Sequence, residues 1–493
     1  MVVIIAALTL SIGDYVTPPS LPLNRSEEQR VLSLVKIFSD YIRLHSIHTL
    51  RKESAHDPRS FCARKFVSGL QMGCQNLGNA AFQYLNGFLY SVILNRTLVV
   101  ADDIECENAT IINRPWIATF SDIQSLFHET KCDESRVRDL EMFHLLPQFY
   151  NSSYVVGTSF DYSCYLDRVD LPILSFSQSE FVPYRVFYNQ TNLVLGDSAK
   201  AKVQTLFSNY IDNDGYFESM GFALHYTVEF SPEVYRVVHS MLPSLFPGIS
   251  RQTNEFLDLN HTPVHRTVAG DVHYGMNFAS SDKHVKGFRR LCMSYPPNTI
   301  TIAMHIRHFD ERSRSNSSLD EELDQSFSLR LKEVLNEKFK GLRCRLLLAS
   351  DRKESFQRLR TDAVAMGCEV YYLPRGNLSV EDNVTECLMG NEWQRLCLEQ
   401  GPWRKGLLQV ADLLLLSYAQ YFIGTGGSTY SYTIAQLVSL RRAACFRNWM
   451  PSPIDFVSGR QGWLDFGFRL HFPDRLTVPC PPEAVKRLSQ SVG

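Results

Sequence analysis

Alternating apolar runs and amphipathic stretches organise the second half of this chain. The run Ile300-Thr301-Ile302-Ala303-Met304 is almost wholly apolar and rich in β-branched residues, which marks a strand buried on both faces of a parallel sheet. After it the pattern predicts helix Leu323–Phe339, strand Arg345–Ala349, helix Ser355–Met366 and strand Glu369–Leu373. Helix Lys405–Tyr418, strand Tyr421–Ile423, a turn over Gly424–Thr429, helix Tyr430–Ser439 and strand Ala443–Phe446 follow. Strands that alternate with helices over short connections form a parallel sheet covered on both faces, an α/β fold.

Upstream the pattern is less regular. Residues 13 to about 60 hold Pro18-Pro19, Pro22 and a helix-like stretch Glu27–His45, read as a stem or an N-terminal helix. A first domain begins near Phe66 with a glycine-rich loop, Gly69 to Gly78. Ala81, Leu85, Phe88, Leu89, Val92 and Ile93 then recur at helical spacing before strand Thr97–Val100. Residues 105–290 are aromatic-rich without a clear period; Phe143–Tyr150 and Phe176–Tyr188 fit loops or short strands equally. The resulting division is 1–60 (leader and stem or helix), 61–290 (first α/β domain), 291–450 (second α/β domain) and 451–493 (an extension packing back on both).

Composition narrows the class. At 493 residues the chain exceeds what one core usually serves, so two domains are expected. With 44% hydrophobic and 21% charged residues and a formal net charge of −2, nothing points to nucleic acid or a membrane surface as partner. Nine Asn-X-Ser/Thr sequons, at Asn24, Asn95, Asn108, Asn151, Asn189, Asn260, Asn316, Asn377 and Asn383, exceed the roughly three expected by chance. Asn95 falls between a predicted helix and strand, where a glycan would crowd the packing. Twelve scattered cysteines with no CxxC pair speak against a zinc module and for disulfides in an oxidising lumen. The apolar stretch Val2–Ile12 is shorter than the ~20 residues of a spanning helix. It reads as a signal-peptide core, the remnant of a membrane anchor, or a buried strand.

Three predicted strands end in polar or glycine clusters at what should be one sheet edge. These are His305, Arg307 and Asp310; Ser350-Asp351-Arg352; and Gly424-Thr425-Gly426-Gly427-Ser428-Thr429. Ligands of open α/β sheets bind beyond the carboxyl ends of the strands. A glycine-rich turn into a helix offers backbone N–H groups to an anion, and an arginine holds phosphate by paired, charge-assisted bonds. Together they suggest a diphosphate cradle, although the P-loop lysine pattern is absent. Plainer readings stand beside it: an ion-pair role for Arg307, helix capping by Ser428 or Thr429, and capping of the following helix by Asp351, the better reading of Asp351 in isolation. Asp102-Asp103 lacks Asp-x-Asp spacing and reads as capping or solvation. Glu321, Glu322 and Asp324 read as an acidic helix start. No His/Cys cluster has metal-ligand spacing, and Gly69, Gly73 and Gly78 do not fit a dinucleotide fingerprint.

These residues resemble the α1,2-, α1,6- and protein O-fucosyltransferase superfamily. Its HxRxxD hallmark matches His305-Ile306-Arg307-His308-Phe309-Asp310. Asp412-Leu-Leu-Leu-Leu-Ser417 and Phe422-Ile-Gly-Thr-Gly-Gly-Ser-Thr429 look like its later nucleotide-binding motifs, and Met72 to Asn79 with Thr97–Val100 is similar to its N-terminal glycine-rich segment. The pattern is closest to the α1,6 enzymes. The resemblance implies a GT-B-like fold, two Rossmann-like domains facing a cleft, and inverting transfer of fucose from GDP-fucose to a glycan, glycoprotein or polysaccharide acceptor without metal or cofactor. Arg307 would hold the β-phosphate and stabilise the leaving GDP, joined by Ser428 and Thr429. His305 and Asp412 would contact guanosine, while Gly78 and Asn79 would face the sugar or diphosphate from the first domain. Asp351 joins the donor-site residues. Where the α1,6 enzymes carry a glutamate eight residues after the arginine, this chain has Ser315. Asp310 and Glu311 are then the nearest carboxylates for a base, and Asp310 serves equally to hold Arg307. The implied compartment is the Golgi lumen, with or without an N-terminal anchor. A GT-B transferase for another nucleotide sugar and a catalytically silent, lectin-like or scaffold relative are the alternatives.

Overall fold

The computed structural model describes residues 25–69, 77–100, 111–113, 116–133, 155–156, 173–176, 197–207, 214–239, 265–266, 272–273, 295–296, 298–308, 317–373, 402–444 and 453–458. Its helices are α1 (Arg25–His45), α2 (Ile47–His56), α3 (Pro58–Cys62), α4 (Leu77–Leu94), α5 (Phe120–Thr130), α6 (Asp197–Phe207), α7 (Asp214–Thr227), α8 (Pro232–His239), α9 (Ser317–Glu337), α10 (Lys353–Ala365), α11 (Pro402–Leu416) and α12 (Thr429–Ala444). Its strands are β1 (Phe66–Gly69), β2 (Thr97–Val100), β3 (Ile111–Asn113), β4 (Ala118–Thr119), β5 (Val155–Val156), β6 (Ile173–Phe176), β7 (Val228–Phe230), β8 (His265–Arg266), β9 (Val272–His273), β10 (Thr299–Ile306), β11 (Arg343–Ser350), β12 (Cys368–Tyr371), β13 (Tyr421–Gly426) and β14 (Ile454–Ser458).

Two five-stranded parallel sheets carry the fold, which is α/β as expected. The first runs β4-β2-β1-β6-β5 and the second β12-β11-β10-β13-β14. β3 pairs β7, and β8 pairs β9, as antiparallel ribbons. The second sheet is the better built. β10 is buried from Ile300 to Ile306, and all of β13 is buried, so the helices cover both faces of its central strands. Among the described residues two disulfides staple the periphery, Cys62–Cys132 and Cys344–Cys368, the second across paired residues of β11 and β12.

α1 is part of the core. Val31, Leu34, Val35, Phe38, Tyr41 and Ile42 are all buried, and Phe38 stacks on Phe88 of α4 and on Phe222 and Tyr226 of α7 with ring centroids 5.4–6.2 Å apart. α1 is therefore a packed helix, because that much aromatic surface is stable only when covered; residues 13–24 of the segment lie outside the described residues. The same apolar cluster takes in Val67 and Val100 of the first sheet and Ala303 and Phe422 of the second. It runs through α4, α7 and α12, which cross closely enough that a Cβ on Gly221 of α7 would collide with Gln436 and Leu440 of α12.

Several expected elements shift. A strand, β1, precedes the glycine-rich segment, of which residues 70–76 lie outside the described residues. Helices α6, α7 and α8 occupy part of the middle region, where the sequence showed no clear period. Helix α9 starts at Ser317 rather than near Leu323. Of the strand expected at Ala443–Phe446, Ala443 and Ala444 are helical instead, since Arg441-Arg442-Ala443-Ala444 are strong helix formers and continue α12; Cys445 and Phe446 lie outside the described residues. The fifth strand is β14, drawn from residues expected to belong to the C-terminal extension. Val2–Ile12, Asp102-Asp103, Phe143–Tyr150 and residues 177–188 lie outside the described residues. Asn95 is exposed with a left-handed backbone (φ 55°), so the expected crowding is not seen at this sequon, whose side-chain carbonyl lies 3.2 Å from His45 Nε2. Among the described residues no helix is long and apolar enough to cross a membrane.

Candidate active site

The order of the second sheet fixes where a ligand would sit. The chain leaves β10 toward β11 and β12 on one side, then crosses to β13 and β14 on the other. That reversal is a topological switch point, and its crevice opens beyond the carboxyl ends of β10 and β13. His305 pairs with Ala349 of β11 and Gly424 of β13, and Ile306 pairs with Ser350. The described residues of the three polar clusters therefore share one sheet edge.

Arg307 leaves β10 under tight backbone control. Its N–H donates to Thr425 Oγ1 at 2.8 Å, and the same hydroxyl donates to the His305 carbonyl at 3.2 Å. The side chain is 41% exposed, and Nη1 donates to Asp351 Oδ2 at 3.0 Å. Asp351, buried, also accepts from the His308 N–H at 3.0 Å and lies 2.8 Å from His308 Nδ1. It does not cap α10, contrary to the reading in isolation: Arg352 holds the N-cap position with no side-chain cap bond, because the charged donors of Arg307 and His308 take the carboxylate instead. Burial by itself would raise the Asp351 carboxyl. The His308 hydrogen bond and the charges of Arg307 and His308 outweigh it and hold the group below the usual carboxylate range.

His308 is the centre of a buried charge cluster. Its Nε2 lies 3.0 Å from Ser355 Oγ and 3.4 Å from Asp324 Oδ1. Burial pulls the imidazole down, but the neighbouring Asp324 and Asp351 carboxylates, the latter accepting from the ring, push it up to about 9. Asp324 is thus not part of an acidic helix start. It sits two turns into α9, 1% exposed, with Oδ2 3.3 Å from Arg358 Nη1. Glu321 and Glu322 are exposed on the same helix.

The turn after β13 is shorter than expected, since Gly424-Thr425-Gly426 belong to the strand. Gly427 turns the chain with φ +83°, a conformation open to glycine at little cost. Ser428 caps α12, its Oγ accepting from the Ser431 N–H at 3.3 Å. Of the amides expected to face an anion, that of Gly427 donates to Tyr432 Oη at 2.6 Å and that of Ser428 to the Thr425 carbonyl at 3.2 Å. The turn is therefore braced internally, and its polar groups are not all turned to the crevice. His305 is buried, with Nδ1 2.7 Å from Ser431 Oγ and its ring 4.7 Å from that of Tyr430, whose hydroxyl donates to the Gln409 carbonyl on α11 at 2.5 Å.

The first sheet's side reaches the same place. Gly78, in the first turn of α4, abuts the first turn of α12: a Cβ there would stand 2.5 Å from Thr429 Oγ1 and from the Tyr430 backbone nitrogen. Two helix N-termini, each with partial positive charge, thus meet beside His305. The structure brings Gly78, His305, Arg307, Asp351, Ser428 and Thr429 together. Asp412 is half-buried on α11, one turn beyond Gln409. Asn79 follows Gly78 in α4 with its side chain outside the described residues, as are Asp310, Glu311 and Ser315. Sequence reasoning gave no role to His308, Thr425, Tyr430 or Ser431 and misread that of Asp324. Asp324 left a signal: it interrupts the buried stripe Phe327, Leu331 and Val334 of α9, where a carboxylate needs a partner. Among the described residues no three His, Cys, Asp or Glu side chains converge as a metal site.

No family model and no curated protein matches the chain. Solved structures do. An Arabidopsis thaliana FUT1 mutant in complex with GDP aligns over 82% of this chain and 77% of that one, with 13% identity and a TM-score of 0.45. NodZ α-1,6-fucosyltransferase co-crystallized with GDP aligns over 75% and 91%, with 10% identity and a TM-score of 0.31. POFUT1 in complex with GDP-fucose aligns over 81% and 99%, with 12% identity and a TM-score of 0.30. These similar structures are fucosyltransferases, the group the sequence motifs resemble; at such identities and TM-scores the likeness assigns no activity.

Proposed function

We propose that this chain is an inverting, metal-independent fucosyltransferase of GT-B arrangement, moving fucose from GDP-fucose to a hydroxyl of a glycan, glycoprotein or polysaccharide. One observation carries the reading. Arg307 stands half-exposed at the end of the central strand, at the switch point, aligned by Asp351 and Thr425 beside the N-terminus of α12. A cation already fixed at that point stabilises the charge that develops on a departing diphosphate, with no reorganisation needed during the reaction. Ser428 and Thr429 complete the phosphate side at the head of α12, with Gly78 and Asn79 opposite. Asp412 takes the guanine N–H donors, and buried His305 serves by fixing Tyr430 and Ser431. Asp310 and Glu311 are the nearest carboxylates in sequence to deprotonate the acceptor. Residues 61–290 form the acceptor side, 291–450 the donor side. The sequons and disulfides support a luminal, Golgi setting, soluble or anchored.

The test is hydrolysis of GDP-fucose and transfer to glycan, glycopeptide and polysaccharide acceptors, with Arg307→Ala alongside. Loss of one such electrostatic contact is expected to lower turnover about 10²- to 10³-fold. Turnover that survives Arg307→Ala sinks the mechanism. A catalytically silent relative is the second reading, favoured by Ser315 and by the internally bonded amides of Gly427 and Ser428; GDP binding without turnover on any acceptor would select it.

A further inference from the structure

Behind Arg307, away from the crevice, two buried carboxylates face a histidine and three arginines. Asp351 comes from the end of β11, Asp324 from α9, Arg352 and Arg358 from the start and middle of α10, and His308 from the end of β10. The imidazole is 1% exposed and lies between the two acids, with Nδ1 2.8 Å from Asp351 Oδ1 and Nε2 3.4 Å from Asp324 Oδ1, the second within ion-pair range but not hydrogen-bonded. Ser355 Oγ, 3.0 Å from Nε2, closes the remaining side. The His308 ring thereby takes Oδ1 of Asp351, while Oδ2 accepts from both Arg307 Nη1 and the His308 backbone N–H.

That division matters because arginine and carboxylate prefer to pair through two parallel bonds. An Asp351 that lost the His308 ring would have Oδ1 free to turn onto the guanidinium as well, drawing it back and offsetting more of its charge. We propose that His308 and Asp324 are positioning residues for Arg307: the imidazolium, set between Asp324 and Asp351, holds Oδ1 of the Asp351 carboxylate so that Arg307 is aligned through Oδ2 alone. This deepens the reading of Arg307 as the anion-binding group and rests on it. The strong pull of the two acids on the ring proton, opposed by burial and by Arg352, agrees with a histidine that stays charged through neutral pH.

The test uses the full chain with isotope-labelled histidine and arginine. The His308 ring and Arg307 Nε resonances are followed by NMR from pH 6 to 10 without ligand, and GDP affinity is measured by calorimetry at pH 7.5. In the wild type both resonances should titrate together. Asp324→Asn should move their common midpoint down by at least about one pH unit, since one of the two acids holding the proton is gone. His308→Asn retains an N–H toward Asp351 but cannot ionise; the Arg307 resonance should then lose its titration. At pH 7.5, His308→Phe should weaken GDP binding by about tenfold and His308→Asn by less, both variants being checked for a native thermal transition. A merely structural role would lower that transition without moving the midpoint. An Arg307 resonance indifferent to His308, or a midpoint unmoved in Asp324→Asn, overturns the proposal. A wild type that shows the coupling but binds no GDP refutes instead the donor-site reading on which it rests.

Discussion

Gly78→Ala sets two opposing effects against each other, and the structure decides between them. Gly78 is the second residue of α4, and alanine in a helix is favoured over glycine by about 0.5–1 kcal/mol. Helix propensity alone therefore forecasts a more stable protein. The added Cβ would, however, lie 2.5 Å from Thr429 Oγ1 and the Tyr430 nitrogen and 2.6 Å from the Thr429 carbonyl carbon. Comfortable contact needs about 3.5–4.0 Å, so the two helix ends must part by about 1 Å. The obstacle is backbone, which cannot swing aside as a flexible side chain would. Overpacking of this kind costs about 1–3 kcal/mol, which outweighs the propensity gain. We expect a net loss of about 1–2 kcal/mol in urea unfolding, accompanied by weaker GDP binding as the head of α12 shifts. Gly367→Ala is the control. Its φ of +86° makes alanine strained, yet nothing lies within 4 Å of the added atom; it should lose about 1–2 kcal/mol of stability with GDP affinity unchanged. A Gly78→Ala protein as stable as the wild type, with the same affinity, would show that the helix ends do not abut as described.

Stability should peak near pH 6.5 on account of two buried histidines. Burial pulls His45 down to about 4 despite its bond to Asn95, so about 3 kcal/mol present above pH 6.5 is lost as pH falls toward 4. His308, raised to about 9, contributes about 3 kcal/mol that is full below pH 6.5 and lost as pH rises through 9. Thermal melts from pH 4 to 9.5 should show both limbs, with His45→Asn flattening the acid one alone; an unaltered acid limb in that variant rejects the assignment. Thr425→Val keeps shape but removes the hydroxyl that accepts from the Arg307 N–H and donates to the His305 carbonyl. It should cost about 1–3 kcal/mol in denaturant unfolding and weaken GDP binding, whereas an unperturbed affinity would mean that Arg307 is placed by its side chain alone. Tyr432→Phe leaves the Gly427 N–H without its partner, and about 1–2 kcal/mol of stability should go with it; a neutral result by urea titration would place that amide in contact with water.

The second sheet was largely legible from sequence, and the reasons lie in particular residues. Ile300–Met304 and Tyr421–Ile423 are continuous apolar runs, and such runs are unambiguous when helices of clear period separate them. What they hid were their ends. His305 and Thr425 are polar yet buried within strands, because each bonds across the sheet edge to a neighbour distant in sequence. Asp351 looked like a helix cap because capping is a local rule, while its actual partners, Arg307 and His308, lie more than forty residues away. The strand expected at Ala443 failed on the helix propensity of the residues leading into it, and its true counterpart, β14, is too short and too mixed to stand out. β1 and the short strands of the first sheet share that difficulty: two to four residues carry no period.

The core that runs through α1, α4, α7 and α12 bears on how the chain is made. α7 emerges from the ribosome 202 residues before α12 begins, and at about 5–20 residues per second that interval lasts about 10–40 s. Throughout it Phe217 lacks Tyr432 and Phe456, the aromatic partners it meets in the finished fold. Folding therefore waits on distant contacts, the slow and aggregation-exposed regime. The nascent first half is expected to depend on chaperones, and a chain truncated before α12 to be degraded rather than to persist as a free domain.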